Sequence, residues 1–104
     1  MRLRNINLHD AQISGARIDY SKRTVAFELA FYKSEQAPRR TRAVLRFDGV
    51  SALSHIADFA RLADNFKFGH VQYWVPESGR GTTFIYLMDG AISITAKRAR
   101  MIVK

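Results

Sequence analysis

Residues 51–66 read SALSHIADFARLADNF, and this stretch decides the fold class that the sequence predicts. Its apolar side chains recur at helical spacing, with Phe59 at the margin of a stripe formed by Leu53, Ile56, Ala57, Ala60 and Ala63. Ser51 is placed to accept a backbone N–H at the amino end of such a helix. We therefore predict one helix over residues 51–64.

The chain before this stretch has the two-residue period of β-strands. Apolar residues alternate with small or polar ones at Val25, Phe27, Leu29 and Phe31. Ile13 and Ile18 lie in opposite phases, and Gly15 between them predicts a bulge that returns both to one buried face. Residues 21–24 then read as a hairpin connection.

The chain after residue 66 returns to strand pattern. Residues 82–88, TTFIYLM, are apolar on both faces, which predicts a central strand covered on both sides. Asp89-Gly90 is the strongest hairpin signal in the chain, because a tight hairpin turn needs residues that tolerate positive φ. Strands, one helix and more strands predict a single α+β domain over residues 1–104, with an antiparallel sheet of about six or seven strands. Since one helix cannot cover so wide a sheet, the sheet must curl, fold over itself or place its second face in a homodimer.

Composition bounds the possible functions. The chain has 104 residues and no cysteine, which excludes disulfides, zinc–thiolate and iron–sulfur sites and a cysteine nucleophile. The opening residues MRLRNINLHD lack the apolar run of a signal peptide, and no segment approaches the ~20 apolar residues that cross a bilayer. We therefore expect a cytoplasmic protein with no membrane partner.

The charge of the chain is strongly positive. Lys and Arg number 17 against 9 Asp and Glu, for a net charge of +8, which attracts acidic proteins and nucleic acids. Residues 38–46, PRRTRAVLR, contain four arginines. Alternation with apolar neighbours turns Arg42 and Arg46 outward on a strand, about 13 Å apart at ~3.3 Å per residue. Arg39 and Arg40 precede them in a loop, so these arginines either contact an anionic partner or form the solvated side of an amphipathic strand.

Two further residues extend the candidate binding set. Arg80 lies in Ser78-Gly79-Arg80-Gly81, which reads as a hairpin tip rather than a phosphate-binding loop. Trp74 faces outward if Val71, Tyr73 and Val75 pack inward, and otherwise belongs to the core. The candidate binding residues are Arg39, Arg40, Arg42, Arg46, Trp74 and Arg80.

Catalytic and metal-binding patterns are weak in this sequence. His9 and Asp10 are adjacent, and neighbours on a strand point to opposite faces, so a strand-end turn with a half-buried His9 explains the pair better than a catalytic dyad. In this turn we expect Asp10 to bond the local backbone. His55 and His70 add no short metal-ligand spacing. We predict no catalytic residue, no metal site and no cofactor.

Two stretches together resemble a group of known proteins. LHDAQISGARIDYSKRTVAFEL at 8–29 and RAVLRFDGVSAL at 42–53 are similar to small uncharacterised bacterial α+β proteins. Those proteins begin with a Leu-His-Asp-Ala-like turn and carry a Leu-x-Phe-x-Gly-Val strand end before a helix, and some related domains are labelled immunity-like, meaning that they bind and block a toxin. The resemblance implies a single antiparallel domain in which His9, Asp10, Phe47 and Gly49 hold structural positions. The positive charge departs from the acidic surface expected of an inhibitor of a basic nuclease.

These observations favour a non-enzymatic protein-interaction domain. A rigid sheet would present its arginines to an acidic protein partner, and charge would steer the encounter. Nonspecific nucleic-acid binding by the same arginines is the alternative, and a small enzyme is the second alternative.

Overall fold

The computed structural model describes residues 2–57, 70–88 and 90–104. Eight β-strands make up this part of the chain, in two four-stranded antiparallel sheets. The strands are β1 (Gln12–Asp19), β2 (Thr24–Phe31), β3 (Thr41–Asp48), β4 (Ala52–Ala57), β5 (Val71–Val75), β6 (Gly81–Leu87), β7 (Gly90–Ala96) and β8 (Arg98–Val103). Sheet I has the order β1-β2-β3-β8, and sheet II has the order β4-β7-β6-β5.

The predicted α+β fold with a helix over residues 51–64 is wrong. Residues 52–57 form strand β4, which pairs with β7 and sets Leu53 opposite the buried Ile94. Residues 58–64 lie outside the described part of the chain. The only helical element within the described ranges is a 3-10 helix at Leu3–Asn5, and no helix there is long and apolar enough to cross a membrane.

The reason for this error lies in the first six residues of the predicted helix. ALSHIA fits a period of two as well as a helical stripe, because Leu53 and His55 stand opposite the buried residues of β7 whereas Ile56 lies on the other side of the strand. The rest of the helical stripe consisted of alanines, which bury little apolar surface. Pairing with the buried strand β7 therefore outweighs local helix propensity.

The core lies between the inner faces of the two sheets. The predicted alternation in sheet I is confirmed, since Val25, Phe27, Leu29, Phe31, Ala43, Leu45 and Phe47 are all buried. Sheet II contributes Ile85, Leu87, Ile92 and Ile94. The rings of Phe27 and His55 meet edge to face across the sheets at 6.2 Å. The strands thus form two facing sheets. Of the three arrangements that the sequence allowed, this is the one in which the sheet folds over itself.

Of two local predictions in the strands, the bulge near Gly15 is confirmed and the central position of Gly90 in a turn is wrong. The register of β1 against β2 shifts between Ile13 and Gly15, which is the predicted bulge. After the bulge Ile18 pairs with Val25 and so stands on the core side, although it stays 46% exposed at the margin of the sandwich. The second hairpin sets Leu87 opposite Gly90, so Gly90 is the first residue of β7 rather than the central turn residue that the Asp-Gly signal predicts. Asp89 itself lies outside the described residues.

Two adjacent corners carry the chain from one sheet to the other. The connection from β3 to β4 and the connection from β7 to β8 are joined by a hydrogen bond from the Lys97 N–H to the Asp48 carbonyl at 3.0 Å. Gly49 has φ +65°, and a Cβ at this position would lie 2.8 Å from the Lys97 side chain. Glycine therefore permits both the backbone conformation and the close approach of the two corners.

Candidate functional site

The outer face of sheet I concentrates charged side chains. The alternation that buries the apolar residues of β2 and β3 turns their neighbours outward, and pairing extends this outer surface to β1 and β8. Its cations are Arg17, Arg42, Arg46, Arg98, Arg100 and Lys104, and its carboxylates are Asp19, Glu28 and Asp48. We call this surface the basic face.

Asp48 stands among the arginines of β3 and β8. Its carboxylate accepts a hydrogen bond from Arg46 Nε at 3.0 Å and lies 3.9 Å from Arg100 Nε. Arg98 occupies the position directly opposite Asp48 on β8. The side chains of Arg46, Arg100 and Asp48 are each about one-third to one-half exposed, and pairs with such exposure contribute little to stability.

Glu28 forms the second contact between opposite charges on the basic face. Its carboxylate lies 3.5 Å from Arg17 Nη2 and 3.9 Å from Lys104 Nζ. At the end of β1, the Lys22 N–H and the Ser21 hydroxyl donate to the Asp19 carboxylate at 3.0 and 2.8 Å. These two hydrogen bonds, led by that of Lys22, lower the pKa of Asp19 below its ordinary value. The face therefore carries both signs of charge, with an excess of cations.

A groove continues the basic surface around the edge of β8. Its lining includes Arg2, Arg4 and Arg100, with Glu77 on the opposite side. The Ala99 N–H donates to the Ser78 carbonyl at 3.0 Å, which fixes the loop before β6 against this edge. The amino-terminal arginines thus lie next to the basic face, an arrangement that depends on long-range contacts.

The structure separates the arginines that the sequence singled out. Arg42 and Arg46 share the basic face, and Arg39 is exposed in the loop before β3. Arg80 is exposed at the tip between β5 and β6, away from that loop. Arg40 is half-buried: its Nε donates to the Asp10 carbonyl at 3.1 Å, and its guanidinium lies 4.8 Å from the centroid of the Tyr32 ring. Arg40 therefore fixes a loop, whereas Arg42 and Arg46 belong to a common surface.

Trp74 points into the protein because β5 contains a bulge. The register against β6 shifts between Val71 and Tyr73, so Val71 is buried while Tyr73 and Val75 are exposed. The condition for an outward Trp74, that these three residues share the inner face, is wrong. The indole packs against the core, and its Nε1 donates to the Ile6 carbonyl at 2.8 Å. Trp74 thus holds the amino-terminal segment against sheet II.

Residues 8–11 form the turn that the sequence predicted around His9 and Asp10. The Ala11 N–H donates to the Leu8 carbonyl at 2.9 Å, and Asp10 has φ 65°, as a type II turn requires at its third residue. The Asp10 carboxylate bonds a distant side chain rather than the local backbone, with Oδ1 2.8 Å from Nε2 of the buried His70. His9 is exposed rather than half-buried, and its Nε2 lies 3.5 Å from Asp10 Oδ2.

The His9–Asp10–His70 cluster connects the turn at residues 8–11 to residues 70–72. His9 Nδ1 is 2.8 Å from the Gln72 carbonyl, and its other ring nitrogen faces Asp10. His70 has Nε2 against Asp10, and its Nδ1 is buried without a hydrogen-bond partner. Among the described residues no group of His, Asp and Glu could hold a metal ion.

Sequence reasoning missed part of the basic face. Arg17, Arg98, Arg100 and Lys104 were not among the candidate residues, although Arg98 and Arg100 alternate on one strand. The pairing register of β3 and β8 places Arg98 and Arg100 on the same face as Arg42 and Arg46. The chain matches no protein-family model, no curated protein and no solved structure. Its function is therefore proposed from the geometry of the basic face.

Proposed function

We propose that this protein is a non-enzymatic interaction domain that binds an acidic protein partner through the basic face. One observation carries the proposal: cationic side chains from β1, β3 and β8 share the outer side of one rigid sheet. A surface with this excess of positive charge attracts an acidic surface over a distance of ~8 Å at physiological salt. Charge pairing then sets the orientation of the complex.

The cations of the basic face retain hydrogen-bonding capacity for a partner. Arg100 and Lys104 each lie 3.9 Å from the nearest carboxylate, which is beyond hydrogen-bonding distance. Within the described part of the chain, no ion pair includes Arg42. A partner carboxylate could thus receive a charge-assisted hydrogen bond without displacing a strong internal one.

The mixed character of the face favours a protein over a nucleic acid. Glu28 and Asp48 stand among the cations and would repel the phosphates of a nucleic acid, whereas an acidic protein can meet them with its own donors. Val44 and Ile102, which are paired on the same face, supply apolar contact. Trp74 is engaged by Ile6 and so offers no stacking platform for bases.

Capture from an extract of the cells that make the protein tests the proposal. The basic-face variant replaces Arg42 and Arg100 with serine, and the control replaces the exposed Lys33 and Arg80 with serine, which removes the same charge elsewhere. After nuclease treatment, wild type and control should retain one acidic protein in near-stoichiometric amount. The basic-face variant should retain about a tenth as much, since a tenfold loss corresponds to about 1.4 kcal/mol.

Melting temperatures of the three proteins provide the control for folding, and they should agree within about 2 °C because exposed charges contribute little to stability. Undiminished capture by the basic-face variant would overturn the proposal. Retention of nucleic acid alone, in a parallel capture from extract without nuclease treatment, would support the nucleic-acid alternative. In that case the affinity for a 20-base-pair duplex should fall with salt, with a log–log slope near −4.5 for about five phosphate contacts.

A further inference from the structure

The outer face of sheet II carries a cluster of exposed aromatic and aliphatic side chains. Tyr73 and Tyr86 are directly paired on β5 and β6 and their rings stack at 4.6 Å, while Phe84 stacks on Tyr86 at 6.4 Å. Val75 pairs with Phe84 on the same side, and Ile56 on β4 is 67% exposed. We call this surface, defined by Ile56, Tyr73, Val75, Phe84 and Tyr86, the aromatic face.

The aromatic face differs from the rest of the surface in having no charge. The remaining outward positions on β4, β6 and β7 hold alanine, serine or threonine, so none of the described side chains on this face is ionisable at neutral pH. The chain as a whole has a net charge of +8. An uncharged, apolar patch on such a protein marks a site of association, since monomers rarely expose a large contiguous apolar surface.

The sequence pattern of β6 shows the same feature of the aromatic face. TTFIYLM is apolar on both faces, as in strands that are covered on both sides. Within the described part of the chain only one side is covered: Thr83, Ile85 and Leu87 are buried against the core, whereas Phe84 is 40% exposed. The pattern thus predicts a second cover for the outer side of β6, which lies exposed in the described part of the chain.

We propose that a second copy of this chain covers the aromatic face and forms a two-fold symmetric dimer. A sheet face packs on its own copy at a spacing of ~10 Å, and the same patch then serves both subunits. Two copies with like net charge repel each other wherever their cations meet, but the aromatic face brings no described charges together. The basic faces remain on the outer sides of the dimer, where both stay accessible.

The area of the aromatic face is adequate for a dimer of moderate affinity. Its large side chains, at ~150–250 Å² for each aromatic residue, expose about 500 Å² at the fractions observed. The exposed or half-buried alanines, serines and threonines between them enlarge this area toward the ~800 Å² that a standard interface takes from each partner. Interfaces of that size range from µM to pM in Kd, and we expect a Kd of about 10 µM, near the weak end of that range.

Sedimentation velocity of the full chain over about 1–200 µM tests this dimer. Wild type should shift from monomer to dimer across this range, and 0.5 M salt should preserve or strengthen the dimer because salt screens the repulsion between the subunits. Phe84→Arg should raise the Kd at least about 30-fold, since it places a pair of like charges inside the contact. Tyr73→Arg, at a position that is 54% exposed, provides a second variant if Phe84→Arg fails to fold.

Ile102→Arg is the matched control, because Ile102 is 42% exposed against 40% for Phe84 and lies on the outer face of sheet I. It should dimerise like wild type. A wild-type protein that stays monomeric at about 200 µM would overturn the proposed dimer. Phe84→Arg and Tyr73→Arg proteins that dimerise like wild type would also overturn it, and so would an Ile102→Arg protein that does not dimerise. These outcomes are separate from capture through the basic face, which high salt abolishes.

Discussion

Arg46 and Arg100 occupy directly paired positions on β3 and β8, with both side chains on the outer face of sheet I. Like charges at opposed positions destabilise an antiparallel pair of strands. Asp48 offsets this effect, since its carboxylate lies 3.0 Å from Arg46 Nε and 3.9 Å from Arg100 Nε. The Arg46–Arg100 pair therefore depends on Asp48 for its electrostatic balance.

Asp48→Asn should therefore destabilise the protein, because it removes the group that offsets the repulsion. We expect the free energy of unfolding to fall by about 0.5–1 kcal/mol in urea denaturation. In a protein that already carries Arg100→Gln, Asp48→Asn should lower the free energy of unfolding by clearly less, because the repulsion between the two arginines is already gone. Equal costs in the two backgrounds would show that Asp48 does not act through the arginine pair.

The Asp10–His70 contact should contribute more to stability than an exposed ion pair. Asp10→Ala leaves the buried His70 imidazole without a hydrogen-bond partner among the described residues, and it places a residue less tolerant of φ 65° in the turn. We expect a loss of about 2–3 kcal/mol in the free energy of unfolding. Asp10→Asn keeps an acceptor oxygen and tolerates the same backbone, so it should cost about 1 kcal/mol or less. A loss as large for Asn as for Ala would contradict this account.

Substitution by alanine should affect stability differently at Gly49, in the corner after β3, and at Gly15, in β1. Gly49→Ala meets both a φ of +65° and Lys97 side-chain atoms at 2.8 Å, so we expect a loss of about 2 kcal/mol or more. Gly15→Ala is the control, because no atom lies within 4 Å of its added Cβ and its φ needs no glycine. It should be neutral or stabilising by up to about 1 kcal/mol. Thermal unfolding of both variants measures the difference.

Trp74→Phe should separate a structural role from a binding role. The Ile6 carbonyl loses its donor, and we expect about 1 kcal/mol of lost stability in urea denaturation. Capture of the acidic partner should be unchanged, since the indole lies inside the protein. If the variant keeps its melting profile but loses capture, Trp74 contributes to partner binding and this account is contradicted.

The sequence predicted what depends on neighbouring residues. The alternation around Phe27 and Leu45 fixes which side of each strand is buried, and Gly15 marks the bulge that restores that side in β1. The outward direction of Arg42 and Arg46 follows from the same alternation. These features need only a period of two and one glycine, both of which are visible locally.

Features that depend on distant residues were not predictable in this way. Six residues at 52–57 fit a helix or a strand, and pairing with β7 decides between them. The bulge in β5 that turns Trp74 inward contains no glycine, so no local residue indicates it. Asp10 and His70 meet across a sequence separation of 60 residues, and the Arg46–Arg100 pair needs the register of β3 against β8. Long-range pairing therefore determined both the fold class and the full extent of the candidate site.

The rate at which the captured partner associates, measured as a function of salt, tests the role of the basic face most directly. Steering by the basic face predicts that the association rate constant falls at least about tenfold between 50 and 500 mM salt, while the dissociation rate constant changes less than about threefold. The variant lacking Arg42 and Arg100 should associate more slowly and with a shallower salt dependence than the Lys33 and Arg80 control. An association rate that is independent of salt and equal in all three proteins would contradict recognition through the basic face.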